Sequence, residues 1–279
     1  MNVRIIADST ADLMPNYKEK VHTVPLTVHF GEQEYLDGVT IDKKEFYEKL
    51  IESDVLPTTS QATPDAFMGE FERAKEAGDS VVVITLSSAL SGTYQSAKIA
   101  AADYDNVYVV DGGSVAIGNG ILVERACGLR DAGMSAAEIA AVLEQEKQNL
   151  IVVALVDTLE YLKKGGRISK TVAAVGGMLN IKPVLSIVDG EIRILGKARG
   201  SKMGNNLLVQ EIEKAGGVDF SRPVLLGYTG ISDALLLKYI EDSKHIWEGN
   251  LDEMRYTGIG SVIGTHAGPG AVAVAFFKK

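Results

Sequence analysis

At 279 residues the chain exceeds the roughly 150 residues of a typical domain, and with 46% hydrophobic and 23% charged residues it can bury a sizeable core without covalent staples. A net charge of -9 withholds the basic footprint that phosphate backbones require, which argues against nucleic acid as a partner. Four histidines and a single cysteine, Cys127, offer no metal-ligand spacing and no intrachain disulfide; a buried structural thiol is expected at Cys127, with no cofactor.

No basic, then apolar, leader and no run of 18 apolar residues occurs, so a cytoplasmic protein is expected. Near the start, "VRIIADST" predicts a short buried strand that ends in a polar cluster; Asp8, Ser9 and Thr10 there either cap the first helix or belong to a ligand site. "LPTTSQATPDAFMGEFERA" predicts a polar loop over 57–62, then a helix with Thr63 as N-cap and Pro64 at its first position, Phe67 and Phe71 facing inward. In "DSVVVITLSSALSGTYQSAKIAAA" β-branched residues from Val81 to Thr85 predict a strand, and Ser91 and Gly92 a turn opening a helix. "NVYVVDGGSVAIGNGILVERACGL" repeats the arrangement, with a helix opening near Ser114. Alternation of this kind predicts an α/β protein with a parallel-sheet N-terminal domain.

After the amphipathic "MSAAEIAAVLEQEKQNL", the strand "IVVALV" begins a second α/β domain, and the boundary is placed near residue 150: residues 1–150 and 151–279. From Tyr161 to Lys202 nine basic residues face two acidic ones, an excess that marks either a solvated face or a docking surface; Lys163, Lys164, Arg167 and Lys170 head it. "VLSIVDGEIRIL" predicts a hairpin with a type I′ turn at Asp189 and Gly190. A helix closed by Gly216, a strand in "RPVLLGYTG", a helix in "SDALLLKYIEDS" and a last strand in "GAVAVAFF" complete the chain.

Four polar clusters follow strands or interrupt apolar runs: "DSTADL", "TTSQAT", "LSSALSGTYQS" and "THAGPG". Hydroxyls dominate three of them. A helix N-terminus presents unpaired N–H groups and the positive end of its dipole, so the turn at Ser91 and Gly92 suits an anion, although a serine there also serves simply as a cap. His266 lies among Gly264, Gly268 and Gly270, which permit close backbone approach, and an imidazole is a proton acceptor or a cation according to small environmental changes. Arg167 and Arg199 could each pair with an anion bidentately. A phosphate loop and a G-x-G-x-x-G turn are both missing, and a Ser91–His266 pair would lack an orienting acid.

Taken together, "ADSTADL", "PTTSQATPDAF", "TLSSALSGTYQSA", "LEYLKKGGRISK", "KPVLSIVDGEI" and "GTHAGPGAVAVAF" resemble, in order and spacing, the blocks of the DegV family of bacterial fatty-acid-binding proteins, across nearly the whole chain. The resemblance implies two α/β domains with an apolar tunnel at their junction holding one long-chain fatty acid, C14 to C18, palmitate among them. It implies a carboxylate bound by Thr59 and Ser91 near His266, with Arg199 tied to the same region and Ser60, Gln61, Gly92, Thr93 and Ser114 as further pocket residues. It also implies a non-catalytic role, presenting the acyl chain to a separate ATP-dependent fatty acid kinase subunit; the basic segment from Lys163 to Lys202 would then dock that kinase or, transiently, an anionic membrane surface. Two departures stand out, Gly112 where the family often has serine and Ala62 where it has proline. Two rival readings remain, a dihydroxyacetone-kinase-like subunit with a small polar cavity beside His266, and a Ser/His acyl hydrolase using Ser91.

Overall fold

The structure, a computed structural model, describes residues 2–168 and 180–279. Its strands, in chain order, are β1 (Val3–Asp8), β2 (His22–Val24), β3 (Thr27–Phe30), β4 (Gln33–Leu36), β5 (Thr58–Ser60), β6 (Ser80–Thr85), β7 (Val107–Asp111), β8 (Leu150–Leu155), β9 (Ile181–Val188), β10 (Glu191–Arg199), β11 (Leu225–Tyr228), β12 (Tyr256–Gly258) and β13 (Val272–Phe277). Between them run α1 (Pro15–Lys18), α2 (Lys43–Glu52), α3 (Pro64–Ala77), α4 (Thr93–Ala100), α5 (Ile117–Asp131), α6 (Ala136–Glu146), α7 (Glu160–Lys164), α8 (Gly200–Lys214), α9 (Ala234–Asp242), α10 (Lys244–Trp247) and α11 (Ser261–Ala267).

Among the described residues these strands form three sheets. The strands β2-β1-β6-β7 form an all-parallel sheet whose central members, "VRIIAD" and "SVVVIT", are the continuous apolar runs that burial on both faces demands. A small antiparallel sheet, β4-β3-β5, lies beside it. From residue 150 onward the order is β10-β9-β8-β13-β11-β12, antiparallel except for the final pair. The turn between β9 and β10 has Asp189 at φ 52° and Gly190 at φ 77°, both positive as type I′ requires.

Local signals hold where their chemistry is strong. Helix α3 starts with Thr63 Oγ1 accepting from Ala66 N at 3.4 Å and Pro64 beside it, stops at Gly78 with φ 69°, and buries Phe67 and Phe71 completely. Reciprocal capping boxes open α2 (Asp42 with Glu45) and α6 (Ser135 with Glu138). Two expectations are corrected. Residues 57–62 are not all loop, because Thr58–Ser60 pair with Thr27–His29 as β5. The helix expected near Ser114 begins at Ile117, since Ala116 takes φ 52°, outside helical space.

One helix joins the two sheets. Eleven of the fifteen residues of α5 are buried, and it packs against β1 and β6 on one side and against β8, β11 and β13 on the other. Cys127 sits on it, buried, with its thiol pushed up to about 11 by desolvation. Phe277 and Ala275 of β13 share a single apolar cluster with Ile5 and Ile84 of the parallel sheet.

Candidate functional site

An apolar cavity opens between the parallel sheet and the six-stranded sheet. Its floor is one face of the latter. Ala154 lies opposite Ala273, and Leu185 opposite Ala154, in adjoining ladders, so small and large side chains share a row. Val152 and Ile187 extend the floor, and Ile117, Ile259, Val262 and Ile263 form the opposite wall. The alternation of β8 and β13 creates this face, since every second residue of a strand points the same way.

Polar side chains gather at one end: Thr59, Ser60, Gln61, Ser91, Arg167 and His266. Thr59, half-buried on β5, places Oγ1 at 2.9 Å from His266 Nε2, joining side chains 207 residues apart. Ser91 lies just ahead of α4, its Oγ at 3.0 Å from Thr93 Oγ1 and accepting from Thr93 N at 3.3 Å; Gly92 takes the N-cap position. Gln61 crosses over Gly92 and donates to Ser96 Oγ at 2.9 Å, so a side chain at 92 would strike its amide. Ser60 bonds His29 Nε2 at 2.8 Å.

His266 is buried near the C-terminal end of α11. Desolvation, reinforced by the positive charge of Arg167, holds its pKa down at about 4, so the ring is neutral at pH 7. Its Nδ1 has no hydrogen-bond partner among the described residues and faces the bare Cα of Gly165: a Cβ there would come within 2.1 Å. Gly268, at φ 70°, closes the helix against the Tyr161 ring. Both glycines are therefore steric requirements of the histidine's seat.

Arg167 donates from Nη1 to Gly165 O at 2.6 Å and from Nε to Leu90 O at 3.3 Å, tying the turn after α7 to the Ser91 loop. Here the sequence reading is corrected: Arg199 does not line the cavity. It ends β10 with its side chain exposed, opposite Ile181, and the arginine at the polar end is Arg167, the other of the two read as possible anion partners. Thr93 and Ser114 are buried behind the site without lining it, and Ser114 Oγ has no hydrogen-bond partner among the described residues. Lys163 and Lys164 are exposed at the end of α7; Lys170 lies outside the described residues.

The carboxylate of Asp8, read from sequence as either a helix cap or part of a ligand site, braces these loops. Asp8 accepts from Thr10 N at 2.9 Å, Thr10 Oγ1 at 2.6 Å and Leu86 N at 2.6 Å, fastening the end of β1 to the start of the Ser91 loop. Burial raises its pKa to about 6 despite these donors. No group of three or more His, Cys, Asp or Glu side chains among the described residues is placed to hold a metal ion, and no described helix is long and apolar enough to cross a membrane.

Fold and site define a class: an α/β protein with an apolar cavity between two sheets, capped by neutral hydroxyls at one end. The family model "Uncharacterised protein, DegV family" matches residues 2–279, and the chain belongs to that family. It is 35% identical over 284 residues to a DegV domain-containing protein of Caldanaerobacter subterraneus subsp. tengcongensis, covering 99% of each chain. Among solved structures it is similar to a DegV family protein from Thermus thermophilus described by its fatty acid binding (32% identity, TM-score 0.88, 99% and 100% of the chains covered). It is also similar to a stearic acid-binding protein of Eubacterium ventriosum (29%, TM-score 0.88, 100% and 99%).

Proposed function

We propose that this protein binds one long-chain fatty acid, C14 to C18, with the tail in the apolar cavity and the carboxylate at Thr59 and Ser91. The observation that carries the reading is the cavity itself: an almost wholly apolar wall ending in hydroxyl groups. Each buried methylene contributes about 0.8 kcal/mol, so a tail of this length supplies ample affinity while the polar end supplies orientation. Because Nδ1 meets no acceptor among the described residues, the neutral His266 is assigned its proton on Nε2, which donates to Thr59 Oγ1 and leaves the Thr59 hydroxyl free to donate to an anion. His266 thus orients Thr59. Arg167 keeps its charge near the carboxylate while two of its N–H groups serve backbone carbonyls, which tempers the ion pair.

In this reading the protein is a cytoplasmic carrier of two domains, divided near residue 150, that presents the acyl carboxylate to an ATP-dependent kinase subunit. The placement of strands supports the division, since those of the first two sheets precede residue 150 and those of the third follow it. The exposed Lys163 and Lys164, beside the turn that carries Arg167, are the proposed contact for an acidic kinase surface or, in passing, for anionic lipid. Reversing both to glutamate is expected to slow coupled acyl-phosphate formation without altering the bound lipid; unchanged turnover would remove them from the interface.

The rivals fit less well. A small-substrate enzyme subunit calls for a small polar cavity beside His266, whereas most of this lining is apolar. A Ser/His hydrolase calls for a serine on the imidazole, yet Nε2 meets Thr59 and Ser91 bonds to Thr93. The deciding experiment is mass spectrometry of an organic extract of purified protein. Near-stoichiometric fatty acid in the parent, falling at least severalfold in the Thr59→Ala, Ser91→Ala double variant, is expected; no lipid above a control protein would overturn the reading.

A further inference from the structure

Four side chains from the first half of the chain converge on one stretch of the second, residues 258–261, just ahead of α11. Lys43 Nζ donates to Gly258 O, and Tyr47 Oη to Ile259 O at 3.0 Å. Asp12 Oδ1 accepts from Gly260 N at 2.9 Å. Asp37 Oδ1 accepts from Ser261 N at 3.3 Å and from Ser261 Oγ. Lys43 also pairs with Asp12 at 2.7 Å. Beneath them α11 lies flush on α2, where a Cβ at Gly264 would come within 2.5 Å of Tyr47 Oη and 2.8 Å of Phe46. The far end of this seven-residue helix carries His266.

Stability alone does not account for the arrangement. Both carboxylates are buried, Oδ2 of each has no partner among the described residues, and desolvation raises the pKa of each. Apolar side chains of similar volume would hold two elements together at less cost. What directional acceptors add is position: they fix both the rotation and the axial register of a short helix, where apolar contact would let it slide.

We propose that Asp12 and Asp37, with Lys43, are positioning residues for His266, holding α11 from its N-terminal end so that Nε2 meets Thr59. The inference depends on the fatty-acid reading only for what His266 does once placed. Its test is therefore made on lipid-free protein, by NMR titration of isotope-labelled His266, with fatty-acid affinity measured separately. Asp37→Ala is expected to release α11 and move the His266 titration from about 4 up toward the ordinary histidine value, with affinity falling about tenfold. Asp37→Asn, which keeps the acceptor oxygen, is expected to restore both. Leu50→Ala supplies a control, a cavity in the same core that leaves all four tying side chains in place; it is expected to lower the melting temperature while leaving the titration in place. Should Asp37→Ala fail to fold, Lys43→Met, at a partly exposed side chain, removes the tie to Gly258 and is expected to shift the titration in the same direction. An unmoved His266 titration in the folded clamp variant, or an equal movement in Leu50→Ala, would overturn the proposal. A moved titration without any fatty-acid binding by the parent would keep the positioning role and remove the lipid reading.

Discussion

His266 makes a prediction of definite sign. Its pKa in the folded protein, about 4, lies below its unfolded value near 6.5, so the unfolded chain binds the extra proton between these limits. The stability this depression confers is full above pH 6.5 and is lost as pH falls toward 4, by an amount on the order of 3 kcal/mol. Asp8 runs the other way: raised to about 6, it favours the folded state as pH falls below 6. Chemical denaturation of His266→Gln beside the parent should therefore show the parent losing ground to the variant between pH 6.5 and 4, and a constant difference across that range would refute the burial argument. At this scale the sequence was legible where chemistry and local context coincide. Ser91 and His266 reach the polar end because each sits at a helix end that its motif marks, and Thr59 joins them from the middle of β5. Of the two arginines read as possible anion partners only Arg167 reaches the polar end, because an arginine's reach depends on a turn, here Gly165 to Arg167, whose direction no spacing rule reveals. The acceptor roles of Asp12 and Asp37 were hidden for a simpler reason: their partners are backbone N–H groups more than 200 residues away.

Among the elements, α11 has the least tolerance. Gly264→Ala adds a methyl group into Tyr47 and Phe46, both almost fully buried and unable to yield, and overpacking of that kind costs about 1–3 kcal/mol. Thermal unfolding of Gly264→Ala should show that loss, and the displaced helix should also weaken fatty-acid binding; a variant as stable as the parent would mean that α2 retreats freely. Strong periodicity made the long elements readable from sequence: β6 and β13 as apolar runs, α3 through its cap, and the β9–β10 hairpin through Asp189 and Gly190. The strand β5 was not, because three polar residues with only the middle one half-buried give no hydrophobic alternation; its partner β3 creates it. The late start of α5 escaped as well, since the left-handed backbone of Ala116 is imposed by surroundings that alanine itself does not favour.

For the whole molecule, the cavity between two sheets makes stability a reporter of occupancy. A ligand that binds only the folded state at a free concentration 100 times its Kd adds about 2.7 kcal/mol, so stripping lipid should lower the melting temperature and adding palmitate should restore it. Stripped and reloaded protein melting alike would place the ligand outside the cavity. The α/β character was readable from alternation along the first half, whereas most of the antiparallel order of the third sheet was not, because strands such as β8 and β13 are far apart in sequence. That order has a consequence for biosynthesis. Strand β13 stands in the interior of its sheet, between β8 and β11, and also completes the surface on which α5 rests, yet it follows all of them along the chain. A polypeptide still emerging from the ribosome cannot close this sheet or cover α5 until residues 272–277 are released. Chains interrupted before that point, such as one stopped at residue 270, should remain open to proteases that spare the finished protein.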